Sequence, residues 1–172
     1  PAMNASCRRI PAGILADLKP LHNLFTADAL TQSATGQVQN TLPIFEPGLE
    51  DLVKKNKNKH LIFTHLAREA ILNQDYVFIT LDTPVNNRDV VSLGLFNLLI
   101  KKVKKHIGSK SVLVISSQVP VGTCRAIEQQ LKRAGKYNSV LYFPENLRLG
   151  QAIEGFLKSD RIILGGNQKT RE

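Results

Sequence analysis

Short, unbroken apolar runs recur along the chain: residues 61–64 (LIFT), 76–81 (YVFITL), 111–116 (SVLVIS), 139–143 (SVLYF) and 161–164 (RIIL). A strand with one solvated face alternates apolar and polar side chains, whereas a strand of a parallel sheet covered on both faces does not. These runs are continuous, so each is expected to be a buried strand. Helical patterns lie between them. One is expected to start at Asp89 as N-cap, with Val91, Leu95, Leu98, Leu99, Val103 and Ile107 on one face and Lys and His in its last turns. A second runs from about Thr123, with Cys124, Ile127, Leu131 and Ala134 at helical spacing and Gly135 as its stop. A third follows Gly150. Strands separated by helices imply βαβ units and an α/β fold, an open, mostly parallel sheet with helices on both faces.

No repeat or low-complexity linker divides the 172 residues, so one domain over residues 1–172 is expected, with residues 1–20 atypical. Residues 4–10 (NASCRRI) are too polar for a buried strand, and residues 22–27 (HNLFTA) form a weak strand ending at Asp28. Cys7 and Cys124 have no disulfide or metal spacing to each other or to the four histidines, and no metal is expected. No apolar stretch reaches the length of a membrane span and no signal-peptide pattern opens the chain, so a cytoplasmic protein without membrane contact is expected.

The net charge of +9 attracts polyanions, and part of it sits in two runs, residues 54–59 (KKNKNK) and 101–105 (KKVKK). Solvated helix ends explain such runs as readily as a binding stripe, and no aromatic residue is interleaved for base stacking. Nucleic acid is therefore not the expected partner.

Familiar phosphate loops are absent. Gly150 and Gly155 have P-loop separation, but Phe156 and Leu157 stand where Lys and Ser or Thr belong, and no G-x-G-x-x-G occurs. Three turn-like segments instead follow candidate strands: Thr83-Pro84, residues 116–123 (SSQVPVGT) and residues 144–148 (PENLR). In open α/β sheets ligands bind beyond the carboxyl ends of the strands, where hydroxyls, a proline turn and a helix N-terminus suit ribose and phosphate.

Residues 42–49 (LPIFEPGL), 78–84 (FITLDTP), 114–123 (VISSQVPVGT) and 144–166 (PENLRLGQAIEGFLKSDRIILGG) resemble, in order and interval, the amino-terminal domain of the UDP-glucose/GDP-mannose dehydrogenase family. Members oxidise the sugar 6-hydroxymethyl of a nucleotide sugar to a carboxylate with two NAD, bound on a Rossmann-type unit. The resemblance implies NAD as cofactor and a nucleotide sugar as partner. It places Asp28 on the adenosine ribose hydroxyls, Thr83 and Pro84 in an NAD-contacting turn, and Val119, Pro120, Val121 and Gly122 beside the nicotinamide half. Glu145 takes the place of a carboxylate at the junction of cofactor and substrate, the one catalytic assignment.

The same resemblance exposes departures. Met3, Ala5 and Arg8 fall on the three glycine positions, without a preceding strand, which weakens the pyrophosphate site. Gln118 replaces a hydroxyl that positions a catalytic water, Leu149 replaces a second carboxylate, and the cysteine-bearing catalytic segment has no counterpart. The expected fold is thus a truncated Rossmann-like domain lacking its first strand and glycine-rich loop, not catalytically competent alone. A sheet short of its central strand leaves unpaired backbone groups, so a rearranged sheet edge and a homodimer are also expected. The alternative is a non-catalytic interaction module whose basic surface takes an acidic partner.

Overall fold

The computed structural model describes residues 46–57, 60–62, 64, 66–88, 90–144 and 147–167. Within them the order is α1 (Leu49–Asn56), α2 (Ala67–Ile71), β1 (Tyr76–Ile79), α3 (Gly94–His106), β2 (Val112–Ile115), α4 (Thr123–Arg133), β3 (Val140–Tyr142) and α5 (Ala152–Leu157). The three strands form one parallel sheet in the order β1-β2-β3, with Val77 opposite Leu113 and Leu113 opposite Val140. Three of the five expected strands are therefore present among the described residues, the first trimmed at its carboxyl end and the other two at both ends.

Both crossovers step to the next strand on the same side. Right-handed connections then place α3 and α4 on one face of the sheet. The side chains agree: Val77, Ile79, Leu113, Ile115 and Val140 join Phe96, Leu99, Ile100, Val103, Ile127 and Leu131 in one buried cluster. The intervening row, Phe78, Val114 and Leu141, points the other way, as the two-residue period requires. Burial of a large aliphatic or aromatic side chain contributes about 1.5–3 kcal/mol, and this cluster supplies the cohesion of the described fold.

Helix α3 starts at Gly94 and not at Asp89, which itself lies outside the described residues. The preceding segment is held as a tight loop. Asn86 Oδ1 accepts the backbone N–H groups of Arg88 and Val90 at 2.9 and 3.0 Å, and Ser92 N–H donates to the Pro84 carbonyl at 2.8 Å. Such an Asx turn competes with helix initiation. The inward stripe of α3 is Phe96, Leu99, Ile100 and Val103, while Leu95 and Leu98 are more than half exposed, at 57% and 55%. Helix α4 ends as expected: Gly135 N–H donates to Lys132 O and Lys136 N–H to Leu131 O, the paired bonds of a Schellman stop.

Residues 161–164 do not form a strand. Gly165 instead makes one antiparallel bridge with Tyr142, its N–H and C=O bonded at 2.8 and 2.7 Å. A Cβ at Gly165 would lie 3.2 Å from that of Tyr142, so the close approach depends on glycine. Of the first run, Leu61 makes an isolated bridge to Lys57, and Phe63 lies outside the described residues. The expected loss of a first strand and glycine-rich loop concerns positions that also lie outside the described residues.

Candidate functional site

At the carboxyl ends of the strands, small polar side chains tie the loops together. Ser116 N–H and Ser117 N–H donate to the Ile79 carbonyl at 2.8 and 3.1 Å, and Ser117 Oγ donates to it at 3.3 Å. Ser116 Oγ donates to Phe143 O at 2.8 Å, linking β2 to β3. Thr83 Oγ1 donates to Gln118 O at 2.5 Å, linking the loop after β1 to the loop after β2. Thr83, Ser116 and Ser117 are all buried. Their hydroxyl protons are thus committed to backbone carbonyls. These hydroxyls brace the loops, and each oxygen keeps lone pairs with which it can still accept a hydrogen bond.

The bracing ties Thr83, which precedes Pro84, to Gln118, which precedes Val119, Pro120, Val121 and Gly122. Thr123 Oγ1 donates to Pro120 O at 2.7 Å, closing the turn that starts α4. Gly122, the N-cap, has φ 92, and nothing lies within 4 Å of where a Cβ would stand. A side chain would be strained there by the backbone, though not by crowding. Val121 projects almost fully into solvent, at 96% exposure. No charged residue occurs from Ser116 to Thr123. An uncharged edge of prolines, valines and backbone amides fits the flat, neutral side of a dinucleotide better than a phosphate. Two assigned residues, Asp28 and Glu145, lie outside the described residues.

Leu149, where the resemblance puts the second carboxylate, is 78% exposed. Cys124 packs against the core from α4, and burial pushes its thiol up to about 11 from the ordinary cysteine range. It is protonated at neutral pH and is a poor nucleophile. Among the described residues no group of His, Cys, Asp or Glu could hold a metal ion, and no helix is long and apolar enough to cross a membrane.

One residue of this edge is invisible to local sequence reasoning. Glu46 is 6% exposed, and its carboxylate accepts N–H bonds from Gly150 and Ala152 at 2.7 Å and from Ile153 at 3.3 Å. The N-cap of α5, Gln151, makes no side-chain cap bond. Glu46 supplies that cap from more than a hundred residues away and pins the segment after β3 to the start of α1. Phe143 and Phe156 meet edge-on at 6.4 Å beside it. The only sequence signal was the LPIFEPGL block itself.

Comparison with known families matches residues 14–172 to the UDP-glucose/GDP-mannose dehydrogenase family, NAD binding domain. The chain belongs to this family. It is 35% identical over 152 residues to the UDP-glucose 6-dehydrogenase of Rickettsia conorii, covering 88% of this chain and 35% of that protein. It matches the solved UDP-glucose dehydrogenase of Pyrobaculum islandicum with a TM-score of 0.68 and 30% identity, over 77% of this chain and 32% of that one. The GDP-mannose dehydrogenase of Pseudomonas aeruginosa superposes with a TM-score of 0.71 at 22% identity, over 86% of this chain and 41% of that one, a likeness of fold. The sheet and its crossover helices are therefore Rossmann-like, homologous to the NAD-binding domain of nucleotide-sugar dehydrogenases. The chain spans about a third of the length of these relatives.

Proposed function

We propose that this chain is the NAD-binding domain of a nucleotide-sugar 6-dehydrogenase system, one unit over residues 1–172. The braced carboxyl edge carries the reading: Thr83 and Pro84 flank the cofactor on one side, and Val119, Pro120, Val121 and Gly122 on the other. Asp28 is assigned to the adenosine ribose, where a carboxylate accepts two hydrogen bonds from a diol. Glu145 is assigned to the junction with the sugar. The bound nicotinamide supplies a hydride acceptor for the sugar 6-carbon. The chain's own residues bind and orient it: Thr83 and the Ile79 carbonyl ladder fix the loop spacing, Val119 and Val121 exclude water from the ring, and Glu46 steadies the segment that bears Glu145. No described residue fills the nucleophile role, since Cys124 is protonated and packed into α4.

A cytoplasmic protein that self-associates fits this reading. β1 stands at the edge of the described sheet, and an edge strand offers unpaired N–H and C=O groups to a second copy. Sedimentation at micromolar concentration checks it, with a dimer expected and a clean monomer against it.

Calorimetric titration with NAD, then with UDP-glucose, tests the assignment. Saturable NAD binding is expected, with NAD at ten times its dissociation constant adding about 1.4 kcal/mol of stability. Absence of heat and of any melting shift at millimolar NAD would overturn it.

A further inference from the structure

Almost all of the net charge comes from one stretch. Residues 101–136 hold nine Lys or Arg against one Glu, +8 of the chain's +9. Elsewhere the two signs nearly balance, and the other basic run adjoins Glu50, which pairs with Lys54 at 2.6 Å. The fold gathers most of the excess at one place, with Arg125 apart from it in the first turn of α4. Helices α3 and α4 lie on one face of the sheet and run parallel, so both C-termini reach the amino ends of the strands. Lys104 Nζ donates to Gln130 Oε1 at 3.3 Å, and one turn on, Lys136 Nζ donates to Ile107 O at 2.9 Å. These contacts set the last turns side by side, with Lys105, Lys110, Lys132 and Arg133 exposed around them.

The corner is rigid. Asn138 Nδ2 donates to Gly108 O and Ser111 O at 2.6 and 2.8 Å, and Ser111 Oγ donates to Gln74 O at 2.5 Å. Within residues 101–136 the single acid, Glu128, reaches Lys132 at a loose 3.9 Å, and exposed Asp75 stands at the amino end of β1, its carbonyl accepting from Val112 N–H. Complementing the helix dipole explains Lys104, Lys105, Lys132 and Arg133 in the last turns. It does not explain exposed Lys101 and Lys102 further up α3, or Lys110 in the turn.

We propose that this α3–α4 face docks the phosphate backbone of a duplex nucleic acid, without reading sequence. Lysine, a compact point charge, predominates and suits phosphate oxygens, and packed helices present it in two rows about 8–10 Å apart. Among the described residues the exposed aromatics at the amino ends of the strands are Tyr137 and Tyr76, the latter in the row that points away from α3 and α4, whereas a single-strand path needs a series of stacking rings. A membrane is disfavoured by pattern. Exposed Leu95 and Leu98 are separated from the lysines along the axis of α3, whereas a surface-lying helix separates them around its circumference. An acidic peptide needs an apolar anchor, and the outward residues of α4 between its cations are Ala126, Gln129 and Gln130.

Fluorescence anisotropy of the full chain with a short labelled DNA duplex, from about 50 to 200 mM salt, tests the proposal. The expected plot of log affinity against log salt has a slope of about −4, from four or five phosphates. The triple variant Lys101→Glu, Lys105→Glu, Arg133→Glu is expected to lose about tenfold or more in affinity, with NAD binding unchanged. The pair Lys54→Glu, Lys55→Glu leaves duplex affinity within about twofold. Single reversals at exposed Lys101 and Lys110, each expected to lose about threefold, keep the test intact if the triple variant does not fold. A flat salt plot, or loss of binding through Lys54 and Lys55 instead, overturns the proposal. So does tighter binding of polyglutamate, inorganic polyphosphate or anionic phosphatidylserine vesicles than of duplex.

Discussion

The two ends of the same three strands are built from different chemistry. At the carboxyl end, buried Thr83, Ser116 and Ser117 knit loops that hold no charged residue between Ser116 and Thr123. At the amino end, Asn138 and Ser111 perform the equivalent bracing, but the turns they hold display lysines. Both ends are rigid, and only one is electrostatically loud. The bulk charge of a chain therefore says little about any one loop of a Rossmann-like sheet: here residues 116–123 carry no charge, while most of the cations of residues 101–136 lie at the opposite end.

The largest effect is expected at the carboxyl end. Replacing Glu46 by Ala strands three backbone N–H groups beside α5 and should lower unfolding stability by about 3 kcal/mol, read by urea denaturation. Glu46→Gln keeps acceptor capacity and should recover about half of the loss. A loss below about 0.5 kcal/mol in the Ala variant would mean that the segment after β3 is held by other contacts.

Next comes pH. The Cys124 thiol is raised by burial, so the group favours the folded state below its unfolded value near 9 and loses that contribution as pH climbs toward about 11. Stability should fall across that window relative to Cys124→Ala, whose own curve lacks the component, by about 1 kcal/mol because the thiol is only partly buried. Alkylation by iodoacetamide at pH 8 should be roughly a hundredfold slower than for a free thiol, and equal rates would show an open Cys124.

Two further changes sharpen the contrast between the ends. Asn138→Ala removes two bonds at the amino end and should cost about 2 kcal/mol, measured as a shift in melting temperature, with no change in NAD affinity. Thr83→Val should cost about 1 kcal/mol yet weaken NAD several-fold, because the loops after β1 and β2 lose their tie. The opposite pattern, with NAD affinity tracking Asn138, would move the site to the other end.

The central strands were legible because a continuous apolar run needs cover on both sides, and β1, β2 and β3 found neighbours in register. Residues 161–164 carry the same pattern but reach the sheet by one bridge, at Gly165, since pairing depends on what lies beside a run and not on the run itself. The α4 stop at Gly135 is a local device and was read directly, whereas the start of α3 was decided by Asn86 capturing two amides. At the site, Thr83 and residues 119–122 are assigned by resemblance, and the structure ties Thr83 to Gln118, the residue before that segment. That their neighbours' hydroxyls brace and that Glu46 caps α5 from across the chain are long-range facts, which no spacing rule encodes.

The most direct test of nucleotide binding at the carboxyl end is a titration of the isotope-labelled chain with NAD, following each backbone amide by NMR. The expected perturbations cluster at Thr83, Ser116, Ser117, Val119 and residues 121–123, with those at residues 101–110 and 132–138 unmoved. Shifts concentrated at the lysine-bearing turns, or none along the edge at saturating NAD, would contradict it.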